Sequence, residues 1–138
     1  MSYLRWALLA LLAYSLVAPL AKIATAEIPS TVVLLISNGM LVVVATGVVV
    51  ATDTPVVQYL GHDRAVYAYA AGLALAVGIL AYYRALAAGP VSVVVPIFGL
   101  FIVTSSVLGI VALDESLTAR KVLGIALAVG AVYLTAVE

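Results

Sequence analysis

The chain of 138 residues contains no cysteine and one histidine, and charged residues make up only 9% of it. Without cysteine, disulfide bonds, thiolate metal sites and cysteine nucleophiles are excluded. Six basic residues balance six acidic ones, so there is no basic field to attract nucleic acid, which we exclude as a partner. The sequence also lacks a phosphate-binding glycine loop and a serine, histidine and acid set. We therefore expect no catalytic residues, no metal site, no cofactor and no enzymatic activity.

Apolar side chains, in contrast, are abundant. Hydrophobic residues form 67% of the sequence and the mean hydropathy is +1.32, whereas a soluble domain carries about 45–50% apolar and about 25% charged residues. A water-soluble fold of this length cannot hide so much apolar surface. The composition predicts an integral, multi-pass membrane protein whose main partner is the lipid bilayer, and we expect it in the plasma membrane.

Five segments approach the length of about 20 apolar residues that a membrane-spanning helix needs. They cover residues 4–24, 31–51, 65–83, 91–113 and 119–137. Backbone exposed to lipid must satisfy its own polar groups, so these segments are predicted to be helices despite their valine content. The first segment continues through Lys22 without a small-residue cleavage site, so we interpret it as a retained helix and not a signal peptide. The predicted fold is all-α, with five transmembrane helices in a single domain over residues 1–138.

Polar residues and helix breakers inside the apolar spans are the candidates for function, because such residues are costly in lipid. The candidates for a substrate cavity are Tyr14, Lys22, Asn38, Tyr69, Ser92 and Pro96. One face of the first helix, at about 100° per residue, carries Tyr14, Ser15, Ala18 and Lys22. Because Lys22 lies near the end of that helix, its ammonium either reaches the interface and pairs with Glu27 or lines the cavity.

The fourth span presents Ser92, Pro96, Gly99 and Ser106 along one stripe. Pro96 removes a backbone hydrogen bond and is expected to bend the helix, which suits a transporter gate. Small and hydroxyl residues also favour close helix packing in lipid, so packing and cavity both remain open for this stripe. Thr104 and Ser105 point elsewhere and are predicted to bond to their own helix.

The second and third spans carry an amide and several tyrosines. Asn38 needs a partner inside the second span and is predicted to link helices, with substrate contact as the alternative. Tyr69 is the cavity candidate of the third span. Tyr82 and Tyr83 lie beside Arg84 at the predicted membrane edge, where we expect an aromatic belt.

The remaining polar residues are predicted to lie in connections. His62 has neither a second imidazole nor a thiol beside it, so we interpret it as a solvated loop residue. Asp114 and Glu115 precede the last span, where acidic groups suit the positive end of a helix dipole.

The order of these motifs resembles a known family. The third span ends in Tyr-Tyr-x-Ala-Leu at Tyr82–Leu86, a proline follows at Pro96, a turn contains Glu115, and Gly124 and Gly130 punctuate the last span. This pattern resembles one half of the EamA-like proteins of the drug/metabolite transporter superfamily. The resemblance implies a carrier of amino acids, drugs or other small metabolites that works by alternating access. It also implies ten helices in all, built from two five-helix halves.

The resemblance further implies that this half needs a second, inverted one. We expect either a second copy of the chain, in an antiparallel homodimer with dual topology, or a homologous half. The small residues expected to permit close contact are Gly72, Ala76, Gly124 and Ala128. The basic residues predicted on the amino-terminal side are Arg5, Arg64, Arg120 and Lys121, against Lys22 and Arg84 on the other. This weak bias is compatible with insertion both ways round.

A different class of function remains open, namely a non-transporting structural or accessory membrane subunit with a dry core and one orientation. Two features also depart from the transporter pattern. Many relatives carry a second proline closer to Glu115, where this chain has Phe101 and Ile102. The first span contains no acidic residue before Glu27, so we do not expect the proton exchange used by related small multidrug exporters.

Overall fold

The computed structural model describes residues 2–112 and 116–136, and both ranges are helical apart from short connections and contain no strand. The helices are α1 (Ser2–Ala24), α2 (Ser30–Ala51), α3 (Val57–Leu60), α4 (Ala65–Ala88), α5 (Val91–Gly99), α6 (Phe101–Ala112) and α7 (Ala119–Ala136). The predicted all-α class is therefore confirmed for the described residues. Helices are the expected result, because a helix pairs its backbone donors and acceptors within one segment and needs no water.

Four described segments are long and apolar enough to cross a membrane. They are Tyr3–Ala24, Ser30–Ala51, Ala65–Ala88 and Val91–Ala112, which agree closely with the first four predicted spans. Helix α7 has 18 residues, which falls within the range of about 17–25 for a crossing helix. The end of the fifth predicted span, residue 137, lies outside the described residues, and the fifth crossing stays a prediction.

Two of the long helices begin directly after a proline. Pro29 precedes α2 and Pro90 precedes α5, both with extended ψ angles of 135° and 144°. The carbonyl of Pro29 accepts the N–H of Val32 at 2.8 Å, and that of Pro90 accepts the N–H of Val94 at 3.0 Å. Proline fits the start of a helix because its fixed φ suits the first turn and its missing N–H is not needed there. The two connections predicted to stop helices do so.

The fourth span is interrupted near its middle, where the sequence alone indicated one bent helix. Nine residues form α5 before the interruption and 12 form α6 after it. At Leu100 the backbone N–H donates to the carbonyl of Ile97, three residues earlier, at 3.2 Å. This spacing is that of the tighter 3₁₀ turn, whereas an α-helical bond spans four residues. Pro96 lies one turn earlier and has no N–H to donate, and Gly99 weakens the helix further. The rings of Phe98 and Phe101 pack across the interruption, 5.1 Å apart.

The packing divides the chain into two compact units, Met1–Ala88 and Gly89–Glu138. In the first unit α4 packs against both α1 and α2, and in the second α5, α6 and α7 pack together.

The core of the first unit lies at one end of its three long helices. The buried residues there are Ala18, Ala21, Val33, Tyr82, Tyr83 and Leu86. They come from the end of α1, the start of α2 and the end of α4, which are brought together because neighbouring helices run antiparallel. We name this cluster the packed end. Towards the other ends of these helices, large apolar side chains such as Leu12, Val43 and Leu73 are exposed.

Helix α2 ends in a paired hydrogen-bond motif. The N–H of Thr54 donates to the carbonyl of Val49 at 3.1 Å, and the N–H of Asp53 donates to that of Val50 at 3.2 Å. This is the Schellman arrangement, which requires a left-handed residue just past the helix. Asp53 occupies that position with φ of 49°, a conformation that glycine adopts without steric cost.

Replacing Asp53 should therefore test this helix end. Asp53→Gly removes the Cβ clash of the left-handed conformation and is expected to raise the free energy of unfolding by up to about 1 kcal/mol, whereas Asp53→Val should lower it by about 1–2 kcal/mol. Thermal unfolding in detergent, followed by circular dichroism, measures both. Equal destabilisation by the two variants would contradict the assigned backbone conformation.

Candidate functional site

The packed end combines the tightest packing of the first unit with polar contacts between its long helices. Leu86 has no exposed surface, and the small residues Ala18 and Ala21 are 5% and 4% exposed. Alanines at spacing i and i+3 share one helix face and let another backbone approach closely. They therefore allow α1 to lie against α4 and bring the end of one helix to the end of the other.

Lys22 connects α1 to the end of α4. Its Nζ donates to the backbone oxygen of Leu86 at 2.7 Å, and the oxygen of Ala87 lies 3.4 Å away. Carbonyls in the last turn of a helix have no donor within the helix, and they carry partial negative charge. The half-buried ammonium of Lys22 supplies both a donor and the complementary charge. Lys22 thus holds a positive charge at the packed end.

A hydroxyl pair connects α2 to α4. The Oγ atom of Ser37 and the phenol oxygen of Tyr83 are 2.9 Å apart. Ser37 is not among the residues predicted from the sequence, although it lies one turn after the buried Val33 and therefore on the same face of α2. That shared face was the signal available in the sequence. Polar side chains that pair between helices are a common means of association in lipid.

Asn38 is placed differently from the prediction. Its Nδ2 donates to the backbone oxygen of Leu34 in its own helix at 3.0 Å, and Ser37 Oγ lies 3.5 Å away. The contact between helices predicted for Asn38 is made instead by its neighbour Ser37. Asn38 is half-buried and supports that serine.

Tyr82 and Tyr83 do not form the predicted aromatic belt. They are 8% and 4% exposed, and their rings meet edge to face with centroids 6.3 Å apart. A belt residue would keep its ring at the lipid interface, whereas these rings are buried. The physical reason is that Ser37 gives the phenol of Tyr83 a partner within the protein, so that tyrosine can be buried without losing its hydrogen bond.

The other two tyrosine candidates lie outside the packed end. Tyr14 is 73% exposed on α1, and Tyr69 is 58% exposed on α4. The Tyr69 hydroxyl donates to the backbone oxygen of Leu60 at 2.8 Å. Tyr69 therefore ties the short helix α3 to the first turns of α4.

The second unit contains a groove between α6 and α7, with a volume of about 290 Å³. Helix α6 contributes Ile102, Val103, Ser106 and Ile110. Helix α7 contributes Lys121, Gly124, Ile125 and Ala128. Of the fourth-span stripe, only Ser106 lines this groove, and its hydroxyl donates to the backbone oxygen of Ile102 at 2.7 Å. The structure places Ser92 on the exposed surface of α5 and leaves Pro96 half-buried.

The predicted loop and helix-entry residues are placed as follows. His62 is exposed, and its Nδ1 accepts the backbone N–H of Arg64 at 3.1 Å, which confirms a loop role. Thr104 donates to the carbonyl of Phe101 in its own helix at 3.1 Å, as predicted, whereas the side chain of Ser105 is exposed and makes no such bond within the described range of α6. Asp114 and Glu115 lie outside the described residues. Among those described, no three histidine or acidic side chains lie close enough to hold a metal ion.

The hydroxyl pair of Ser37 and Tyr83 can be tested by a double-mutant cycle. Ser37→Ala and Tyr83→Phe should each destabilise the protein, and the double variant should lose less than the sum. We expect a coupling energy of about 0.6 kcal/mol, with about 1.7 kcal/mol as an upper limit, as found for such bonds in membrane helices. Denaturation in mixed micelles measures it, with the exposed Tyr67→Phe as a control. Additive single effects would show that the two hydroxyls do not interact.

The sequence matches the model of one protein family along almost its whole length. This is the EamA-like transporter family, and the match covers residues 1–137. No curated protein and no solved structure matches the chain. The family match agrees with the four apolar helices described above and with the motif order of the third and fourth spans. The chain therefore belongs to the EamA-like transporter family and is an integral membrane protein of the drug/metabolite transporter type.

Proposed function

We propose that this protein carries a small metabolite across the plasma membrane by alternating access, with the substrate bound between two five-helix halves of opposite orientation. The observation that carries the proposal is the match to a transporter family over residues 1–137. In the proposed assembly α7 makes the fifth crossing, so that each half of the assembly contributes five transmembrane helices.

The exposed apolar surface of the first unit supports the need for a second, inverted half of the transporter. Its buried residues are confined to the packed end, and apolar side chains as large as Leu12 and Leu73 are more than two thirds exposed. Transporters built from inverted repeats form their substrate site at the repeat interface near mid-membrane. A second copy of this chain, inserted upside down, supplies such an interface, and a homologous half is the alternative partner.

The charges of the first unit support insertion in both orientations. Arg5 and Arg64 lie near the starts of α1 and α4, while Lys22 and Arg84 lie near their ends. Because lysine and arginine near span ends set orientation, an even distribution gives little preference. The charge of Lys22 is in addition bound to the carbonyl of Leu86.

The interrupted fourth span supports alternating access. Discontinuous helices are typical of transporter binding sites, because the interruption frees backbone groups near mid-membrane. The interruption at Leu100 falls between segments of nine and 12 residues, which is close to the middle of the span. We propose that this point moves when the carrier changes its open side.

The proposed cavity draws on the six candidate residues in two ways. Tyr14 and Ser92 are exposed, and Asn38 and Pro96 are half-buried, so these four can contact substrate at the interface with the inverted half. Lys22 and Tyr69 already donate to backbone oxygens. To bind an anionic or carboxylate-bearing substrate, the ammonium of Lys22 would release the carbonyls of α4 and donate to the substrate.

This assignment predicts a selective effect of Lys22→Met. Substrates are first identified by their stabilisation of the purified protein against heat, using a panel of amino acids and related neutral compounds. In proteoliposomes, exchange of carboxylate-bearing substrates should fall at least about tenfold, because a charge-assisted hydrogen bond is lost. Exchange of neutral substrates should change little.

The control is Arg84→Met, which removes an exposed positive charge near the same end of α4 and should leave exchange unchanged. Lys22→Arg should restore part of the activity, because a cation again reaches the carbonyls. If Lys22→Met lowers neutral and anionic exchange equally, Lys22 has only a structural role. If no compound is exchanged by the wild-type protein, the carrier proposal gives way to an accessory subunit.

Orientation provides an independent prediction. Because the chain lacks cysteine, Ala26→Cys and Asp63→Cys, both at exposed positions between helices, each give a single labelling site. An impermeant maleimide added to sealed vesicles should label about half of each variant, since copies insert both ways round. Full labelling of one variant and full protection of the other would show a single orientation and contradict pairing of inverted copies.

A further inference from the structure

The groove of the second unit has one charged end and an apolar body. Helices α6 and α7 follow each other in the chain and pack together, so the end of α6 lies near the start of α7. Ile110 and Lys121 therefore mark the end of the groove beside the connection, and Ile102 and Ala128 mark the other end. Along α6 the lining extends from residue 102 to residue 110, or about 12 Å at 1.5 Å per residue.

Polarity changes along that length. Lys121 places a positive charge at the connected end, Ser106 lies about halfway, and its hydroxyl is already bonded to Ile102. The other lining residues are aliphatic or glycine. At Gly124 the groove has free space, because an added Cβ would meet no atom within 4 Å. The groove therefore matches an elongated molecule with an anionic head and a hydrocarbon tail.

We propose that the groove binds an anionic phospholipid, with one acyl chain between α6 and α7 and the phosphate at Lys121. Three observations support a lipid as the occupant. Ser106 and Gly124, about halfway along the lining of their helices, are both exposed, so the groove is open along its side, as entry from a bilayer requires. The volume of about 290 Å³ suits part of one acyl chain, whereas a helix from a second copy is about 10–12 Å across. The charge at one end complements a phosphate, since basic sites between membrane helices bind lipid head groups.

This site is separate from the proposed substrate cavity, since its lining includes none of the six candidate residues. It follows from the second unit alone and does not depend on transport. Its function is to fix the hairpin of α6 and α7 in the bilayer and to fill a groove that would otherwise lose packing contacts.

The test uses lipids with a spin label near the end of one acyl chain. Phosphatidylglycerol is the anionic lipid and phosphatidylcholine, with the same label, is the neutral comparison. The purified protein is reconstituted in phosphatidylcholine vesicles that contain one labelled lipid at a time. Electron paramagnetic resonance then gives the fraction of labelled lipid immobilised by the protein. We expect the wild-type protein to immobilise more phosphatidylglycerol than phosphatidylcholine.

Lys121→Gln should lower the preference for phosphatidylglycerol by roughly fivefold, the effect of one basic residue near the head groups. Arg120→Gln is the matched control, because it removes the same charge from the adjacent position, which does not line the groove. It should change the preference by less than about twofold, since it leaves the charge at the groove in place. Equal effects of the two variants would overturn the proposal and indicate a general surface charge.

A second variant tests the groove itself. Gly124→Leu keeps both charges and fills the free space in the groove, so the excess of immobilised phosphatidylglycerol should disappear. Gly78→Leu, at an open glycine of α4, controls for an added side chain in a helix, and circular dichroism confirms that both variants fold. An unchanged preference in Gly124→Leu would overturn the lipid site. Cross-linking between copies through Ile125→Cys, without any lipid preference, would assign the groove to a second copy instead.

Discussion

The structure depends on the requirement that polar groups in lipid find partners within the protein. Backbone carbonyls meet most of this need. The hydroxyls of Ser15, Thr46 and Ser106 each donate to the carbonyl four residues earlier in their own helix, which satisfies them without any other helix. Lys22 uses the free carbonyls at the end of α4 in the same way, but from a neighbouring helix. A contact that satisfies a polar group therefore also decides which helix ends meet.

This requirement explains why the three long helices of the first unit pack most tightly at one end. The close polar contacts between its three long helices, from Lys22 to Leu86 and from Ser37 to Tyr83, lie at the packed end. Apolar side chains farther along the helices gain little from each other, because lipid is as apolar as they are. The rest of the apolar surface remains available for contact with lipid or with an inverted half. Joining at one end and separation at the other suit the alternating access that we propose.

Much of the fold could be predicted, because its causes are local. The apolar runs and the prolines before α2 and α5 fixed the first three spans to within a few residues. The interruption at Leu100 was harder to predict, since its effect appears one turn after Pro96 and depends on how the next bonds tighten. The pairing of Ser37 with Tyr83, and with it the burial of Tyr82, depends on which helix faces meet. That is tertiary information, and periodicity within one helix does not contain it. The groove between α6 and α7 was missed for the same reason, although Gly124 had been singled out.

We propose that two copies of the chain in opposite orientations complete the transporter. The distance between the same residue in the two copies tests this most directly. A nitroxide at Glu27→Cys, in the exposed connection after α1, reports that distance by double electron–electron resonance in lipid nanodiscs. Antiparallel copies place their labels on opposite sides of the bilayer, so we predict a separation of at least about 30 Å. Copies in the same orientation would give a shorter distance within one membrane face. That result, or no dipolar coupling at all, would contradict the account.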